Sequence, residues 1–355
     1  MANEPRERSA PAPFDFAQGV VSASRTTTRR ARERVGESEG RSPSDNVDGG
    51  IGIAGSHELG DLRRFSHEAM NTVFEVYAAH GDARYAAQAA QAAFALVDRL
   101  EGELSRFRSN SDITRVNHLR AGESARVGEA ALECLVIARH LYDVTGGAFD
   151  IAIGTGLPAL EIDAEAFLVR ASASGVRVDL GGIGKGYAVD LMAEVLEDWG
   201  VERAFVHGGF SSALALEPPA GGDGWPLTLS DPGEPSRVLS RLSMRQTALS
   251  ASGVRKGDHI LDPRTRTPAR GRLAAWVAVP RPPRPAAAAA GPGSRLAPAA
   301  VADALTTAFM LLNAEQIEAL CARSPGLEAW VLPDSASGST ADVLHFNGPL
   351  TAGDE

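Results

Sequence analysis

The segment ADALTTAF at 302–309 sets a carboxylate, Asp303, and a hydroxyl, Thr307, four residues apart, hence on one face of any helix it forms. Oxygen donors of this kind suit a hard cation such as Mg²⁺, which takes a few protein oxygens and keeps positions for substrate phosphate. An aspartate near a helix start also serves as a cap or as a partner of the helix dipole, so this feature alone leaves both uses open. A second stretch, VDLGGIGKGYAVD at 178–190, packs four glycines and Lys185 between Asp179 and Asp190. Glycine lets backbone amides and carbonyls approach a ligand, and Lys185 at the following helix start can meet phosphate; a tight strand-to-helix turn uses glycine equally well. Two familiar phosphate loops do not match. A Walker loop needs glycine where Asp179 stands and Ser or Thr where Gly186 stands, and a dinucleotide fingerprint needs glycine at Tyr187 or Val189. A third stretch, SASGVRKGDHILDPRTRTP at 250–268, brings His259 and Asp262 to a strand entering a proline-bounded turn. Imidazole titrates near neutrality and suits proton transfer, although a histidine there can also simply hold the turn.

Other chemistries are poorly served. There is no HExxH pair for zinc, and GFSSA at 209–213 lacks the second glycine of a serine elbow. Cys134 and Cys321 are far apart and outside any CxxC spacing, which argues against a disulfide framework or a thiolate metal site. The formal charge of −10 repels polyanions, so nucleic acid is a poor partner. No segment reaches the roughly 20 apolar residues of a membrane span.

Several elements must position these groups. FSHEAMNTVFEVYAA (65–79) predicts a strand ending at the His80-Gly81-Asp82 turn. Ala89, Ala93, Leu96, Leu100 and Leu104 recur at three- and four-residue steps and predict a long helix. A second helix is expected over 128–144, closed by Gly146 and Gly147, then a strand at VRVDL (176–180) and a helix over 185–199 stopped by Gly200. RAFVH, LALE, PLTLS, HILD and AAWVAV read as short strands; helices follow through AAVADALTTAFMLLN and AEQIEALCARS, then a last strand at EAWVLP. Strands and helices without regular βαβ alternation predict an α+β fold. Residues 1–60 lack hydrophobic periodicity and read as a disordered tail, 61–350 as the folded domain, and 280–297 as a low-complexity loop. The tail has neither the apolar core of a secretory signal nor a lipobox cysteine, so the expected location is cytoplasmic.

Taken in order, AMNT at 69, LSRFRSNSDITRVN at 104, TGGAFDIAIG at 145, VDLGGIGKGYAVD at 178, HGG at 207, SG followed by HILDPRT from 252, and ADALTTAF at 302 resemble the ApbE-like flavin transferases. The ordered series, over about residues 65–312, is far more specific than any one motif. The resemblance implies a two-lobed, T-fold-like α+β domain of short mixed strands flanked by helices, with a flavin cleft between the lobes. It implies Mg²⁺-dependent transfer of FMN from FAD to a threonine of an acceptor flavoprotein, with release of AMP. Metal binding then falls to Asp303, Thr307 and the carbonyl of Gly182, with Thr306 as an extra contact. FAD contacts fall to Met70, Phe107, Ala148, Phe149, Asp150, Asp179, Lys185 and Ile260, and His259 becomes the base beside the acceptor. Four positions depart from the family pattern: Asn71 stands for Gly, Phe210 for Asp, Ala251 for Thr and Arg266 for Gly. None is a metal ligand by resemblance; they concern the acceptor-facing rim and the flavin pose. The competing readings are a Mg²⁺-dependent FAD pyrophosphatase, which differs only in using water as acceptor, and a catalytically silent FAD-binding protein, which retention of Asp303, Thr307, Lys185 and His259 disfavours.

Overall fold

The computed structural model describes residues 51–53 as backbone, and 62–152, 156–209, 211–254, 260–282, 297–334 and 343–347 in full. In chain order the first half runs β1 (Ile51–Ile53), β2 (Leu62–Ala69), β3 (Thr72–Ala79), α1 (Ala83–Leu104), α2 (Asp112–Asn117), β4 (Ser124–Arg126), α3 (Glu129–Val144), β5 (Leu160–Asp163), β6 (Leu168–Ala171) and α4 (Gly184–Asp198). The second half runs β7 (Ala204–Gly208), β8 (Ser212–Ala215), β9 (Trp225–Ser230), β10 (Val238–Met244), β11 (Thr247–Gly253), β12 (Arg272–Pro280), α5 (Pro298–Phe309), α6 (Ala314–Ala322), β13 (Glu328–Pro333) and β14 (Leu344–Asn347). This is the expected α+β class.

Eight strands form one antiparallel sheet in the order β14-β13-β12-β11-β8-β7-β3-β2. Alternation along β3 shows how it is covered. Phe74, Val76 and Ala78 join the core that α1, α3, α4 and α5 complete, while Tyr77 packs toward the other face. On that other face a small sheet, β1-β9-β10, drives Trp225, Leu227 and Leu229 against Phe205, Leu249 and Trp276. Each such side chain stabilises by about 2–3 kcal/mol on burial, so packing alone closes this layer. A third sheet, β4-β6-β5, lies apart from both.

Four expectations need correction. The strand at 65–79 is a hairpin: Met70 (φ 49°) and Asn71 (φ 58°) form the turn between β2 and β3, with Ala69 opposite Thr72. Two positive φ angles match the primed turns whose twist suits a hairpin, and Asn is among the side chains that tolerate them. VRVDL forms no strand; Val178 bridges to Ala152, and the side chain of Asn117 bonds both its amide and its carbonyl. Over 260–262, HILD yields only a bridge from Leu261 to Pro268, because Asp262 turns the chain: its side chain accepts from Arg264 N at 2.9 Å, its carbonyl accepts from Arg266 N at 2.6 Å, and its amide donates to Thr267 O at 2.8 Å. Residues 51–53, assigned to the tail, pair antiparallel with β9, so the sheet system begins before residue 61. The rest of the expected tail (1–50 and 54–60) and most of the expected 280–297 loop lie outside the described residues.

Candidate active site

The first turn of α4 has no side-chain cap of its own, and Ile183 at the cap position offers none. The amide of Gly186 instead donates to Asp303 Oδ2 of α5 at 3.2 Å. Lys185 Nζ lies 3.4 Å from the same oxygen and donates to the carbonyl of Gly181 at 3.0 Å. Asp303 is only 3% exposed. A buried carboxylate requires such partners, since an uncompensated buried charge is strongly destabilising.

Thr307 stands one turn further along α5. A Cβ built on Gly182 would lie 3.5 Å from Thr307 Oγ1 and 3.3 Å from the ring of Phe149, so the glycine loop, Thr307 and Phe149 converge. Thr306 points elsewhere: its hydroxyl donates to Asp303 O at 2.7 Å and lies 2.8 Å from Ser252 Oγ on β11. Its one proton is spent inside the fold. Among the described residues there is no group of three or more His, Cys, Asp or Glu able to hold a metal. A cation beside Asp303 would therefore draw on one carboxylate, the Thr307 hydroxyl and main-chain oxygen. That all-oxygen, ligand-poor set fits Mg²⁺ and not zinc.

A second group joins the same loop. Asp179 accepts from Gly181 N at 2.9 Å and pairs with Arg106 Nε at 2.9 Å. The Arg106 guanidinium lies 4.3 Å over the ring of Phe107, which is 80% exposed. An aromatic ring this open is ready for a planar partner, because burying it against another ring is favourable. Glu101 then ties in the β2–β3 turn: it accepts from Met70 N at 3.2 Å and pairs with Arg108 at 3.1 Å. Contacts thus join Phe107 and Asp179 to the glycine loop with Lys185 and Asp303, and Gly182 of that loop faces Phe149 and Thr307, while Met70 reaches the segment carrying Phe107 through Glu101 and Arg108. Ala148 and Ile260 are buried in the helix-side core. Asp150 turns back on its own loop, accepting Ala152 N at 2.7 Å and Leu157 N at 3.1 Å; burial raises its pKa while those amides oppose the rise. His259 lies outside the described residues.

Sequence reasoning passed over Glu101 and Arg106, which flank matched positions in LSRFRSNSD and its preceding helix, and Asp190, the last residue of the glycine stretch. It also passed over Gly186, where an added Cβ would meet Ala299 O at 2.2 Å; only glycine lets α4 approach α5 this closely. Two of the departures keep the backbone of the glycine they replace: Asn71 has φ 58° and Arg266 φ 63°. Ala251 pairs with Trp276 across β11 and β12, and Phe210 lies outside the described residues.

A family model described as the ApbE family matches residues 70–331. The chain belongs to the ApbE family. Among curated relatives of this ApbE-family chain, the FAD:protein FMN transferase of Salmonella typhimurium is 24% identical, covering 76% of this chain and 84% of its own. One from Klebsiella pneumoniae is 23% identical, covering 68% and 75%. The apo flavinyl transferase ApbE of Pseudomonas stutzeri superposes with a TM-score of 0.67 at 23% identity, over 80% of this chain and 94% of that one. The ApbE protein of Thermotoga maritima does so with a TM-score of 0.67 at 21% identity, over 80% and 97%. These superpositions establish the fold of the ApbE family for this chain. Among the described residues no helix is long and apolar enough to cross a membrane.

Proposed function

We propose that this chain is a Mg²⁺-dependent transferase that moves FMN from FAD to a threonine hydroxyl of an acceptor protein and releases AMP. The observation that carries the reading is the convergence of Asp303, Thr307, Gly182 and Lys185 in a chain whose family match spans those positions. Relatives at 23–24% identity bear the name FAD:protein FMN transferase, which supports the same chemistry. In the reaction the acceptor oxygen forms a bond to the FMN phosphorus and the bond from that phosphorus to the AMP oxygen breaks. When bound, Mg²⁺ supplies charge neutralisation on the pyrophosphate and the departing AMP.

The residues divide the remaining work. Asp303, Thr307 and the carbonyl of Gly182 would hold the cation. Lys185 is long enough to exchange Asp303 for a phosphate oxygen, and its positive charge is carried at the helix start where anions are favoured. The exposed ring of Phe107, braced by Arg106, offers a face to the flavin. His259 takes the acceptor's proton. The acceptor is a protein with an accessible threonine.

The experiment is incubation with FAD, Mg²⁺ and a threonine-bearing acceptor peptide, read by intact mass for covalent FMN and by chromatography for AMP. Adduct and AMP in equal amounts support transfer. FMN and AMP without adduct would mean that water is the acceptor, and bound but unchanged FAD would mean a silent binder. For His259→Asn, unchanged FAD affinity with transfer slowed about 10²–10⁴-fold is expected of a general base; weakened affinity with an unchanged rate at saturating FAD would remove it from the mechanism.

A further inference from the structure

Asp190 lies in the matched glycine stretch but takes no part in the chemistry above. It is 2% exposed, and both of its oxygens accept backbone amides of α5: Ala299 N at 3.0 Å and Ala300 N at 2.9 Å. The start of α5 has no cap from its own sequence, since Ala297 occupies the cap position and Pro298 follows it without an N–H. The free amides of that first turn are answered by a side chain on another helix.

Four residues separate Gly186 from Asp190 on α4, and four separate Ala299 from Asp303 on α5, so each pair lies on one helix face. Gly186 N meets Asp303 Oδ2 at one end of the crossing, and Asp190 meets Ala299 and Ala300 at the other. Two polar contacts about one helical turn apart fix both the sliding and the rotation of one helix on the other. A slip of one residue would move α5 by about 1.5 Å and turn it by roughly 100°, enough to carry Asp303 and Thr307 away from Lys185 and Gly182. The close α4–α5 approach at Gly186 sets how near the two helices lie, and the two polar contacts add a directional constraint on their register.

We infer that Asp190 is a positioning residue of the cation site, a clamp from α4 onto the first turn of α5 that sets the register bringing Asp303 and Thr307 opposite Lys185 and Gly182. This rests on the reading that Asp303 and Thr307 hold the cation. Its reach is the site's affinity for a divalent ion, not the chemistry itself.

The test is Mn²⁺ binding to the full chain, followed by electron paramagnetic resonance, for wild type, Asp303→Asn, Asp190→Asn and Leu227→Ala. The last is a control on the opposite side of the sheet, destabilising without touching α4 or α5. Asp190→Asn keeps the volume but presents an amide N–H to one of the two backbone N–H groups. Its Mn²⁺ affinity is expected to fall about 10–100-fold, the range for residues that orient metal ligands. Leu227→Ala, measured while still folded, should bind as wild type. Affinity unchanged in Asp190→Asn, or lost equally in Leu227→Ala, overturns the clamp.

If Asp190→Asn does not fold, amide exchange in the wild-type protein decides. Coupling is reciprocal, so saturating Mg²⁺ should slow exchange at Ala299 and Ala300 about tenfold relative to Ile317 on α6. Equal slowing at all three sites refutes it. Wild-type binding in Asp303→Asn would bring down the cation reading and this inference with it. A deficit in Asp303→Asn but none in Asp190→Asn would bring down only the inference.

Discussion

On the helix side of the central sheet, Asp190 meets two backbone amides and Asp303 meets one amide and the tip of Lys185; on the opposite side, Glu75 lies between His207 Nε2 at 2.8 Å and the Arg64 guanidinium, with Tyr77 OH at 3.1 Å. All three carboxylates are buried, yet they are held in different ways. Burial pushes the Asp190 carboxyl up to about 8, against its amides and the more distant Arg281. Burial acts on Glu75 in the same direction, but His207 and Arg64 outweigh it and hold that carboxyl at about 2. The contrast shows that burial alone does not decide the state of a carboxylate; a charged partner in direct contact, such as Arg64 beside Glu75, does. Glu75, fixed between partners on two neighbouring strands, is committed to closing the sheet. Asp303, whose one cationic partner among the described residues is the end of a flexible lysine, keeps an exchangeable partner and suits a site.

The largest effect should come from Glu75→Gln. Removing the charge from a buried ionic group costs about 3–5 kcal/mol, read as a shift of the urea unfolding free energy, while the transfer rate of the folded enzyme stays unchanged. A catalytic loss without a stability loss would reverse the roles of the two faces.

The same pair carries a pH signature. Glu75 has its folded pKa depressed, so its contribution is present above the unfolded value of about 4.5 and is lost as pH falls toward 2. The stability gap between wild type and Glu75→Gln should narrow by about 2–3 kcal/mol across that window. Asp190 runs the other way: its folded pKa is raised, so its contribution is present below about 4 and lost as pH rises through about 8. Asp190→Asn should therefore flatten the pH dependence of stability between those values, and an unchanged slope would contradict the shift.

Next in size is Asp303→Asn. Loss of the proposed charged ligand should raise the Mg²⁺ requirement for transfer on the order of 10²-fold, with EDTA abolishing activity in both proteins. Equal activity at limiting Mg²⁺ would exclude Asp303 as ligand.

Gly186→Ala should cost about 1–3 kcal/mol, because its Cβ would stand 2.2 Å from the Ala299 carbonyl and force the helices apart. Gly102→Ala, in α1 with open space around it, should instead stabilise by about 0.5–1 kcal/mol. Like effects at the two glycines would mean that the α4–α5 approach is not a tight constraint. The smallest change should be Arg64→Lys. The side chain is 45% exposed, and the altered pairing should cost about 1 kcal/mol or less in thermal unfolding.

The long helices were legible because their signal is local: Ala89, Ala93, Leu100 and Leu104 repeat at helical spacing and line the buried face of α1. Strand assignments fared worse where pairing depends on distant residues. The hairpin hid inside a mixed polar and apolar stretch read as one strand, its turn marked only by Asn71, and VRVDL alternates like a strand but finds a side chain, Asn117, in place of a neighbouring strand. At the site, Asp303 and Thr307 declared themselves by their four-residue spacing and the glycine loop by its composition. By itself the sequence determined which residues are candidates for chemistry, and their order along the chain, because side-chain type and helical period are local properties. Only the tertiary structure decided that Gly186 N and Lys185 meet Asp303, that Gly182 faces Thr307, and that Asp190 caps a helix more than a hundred residues away. Those contacts depend on how two helices cross, and that crossing is set by packing against the sheet and by where a side chain is missing.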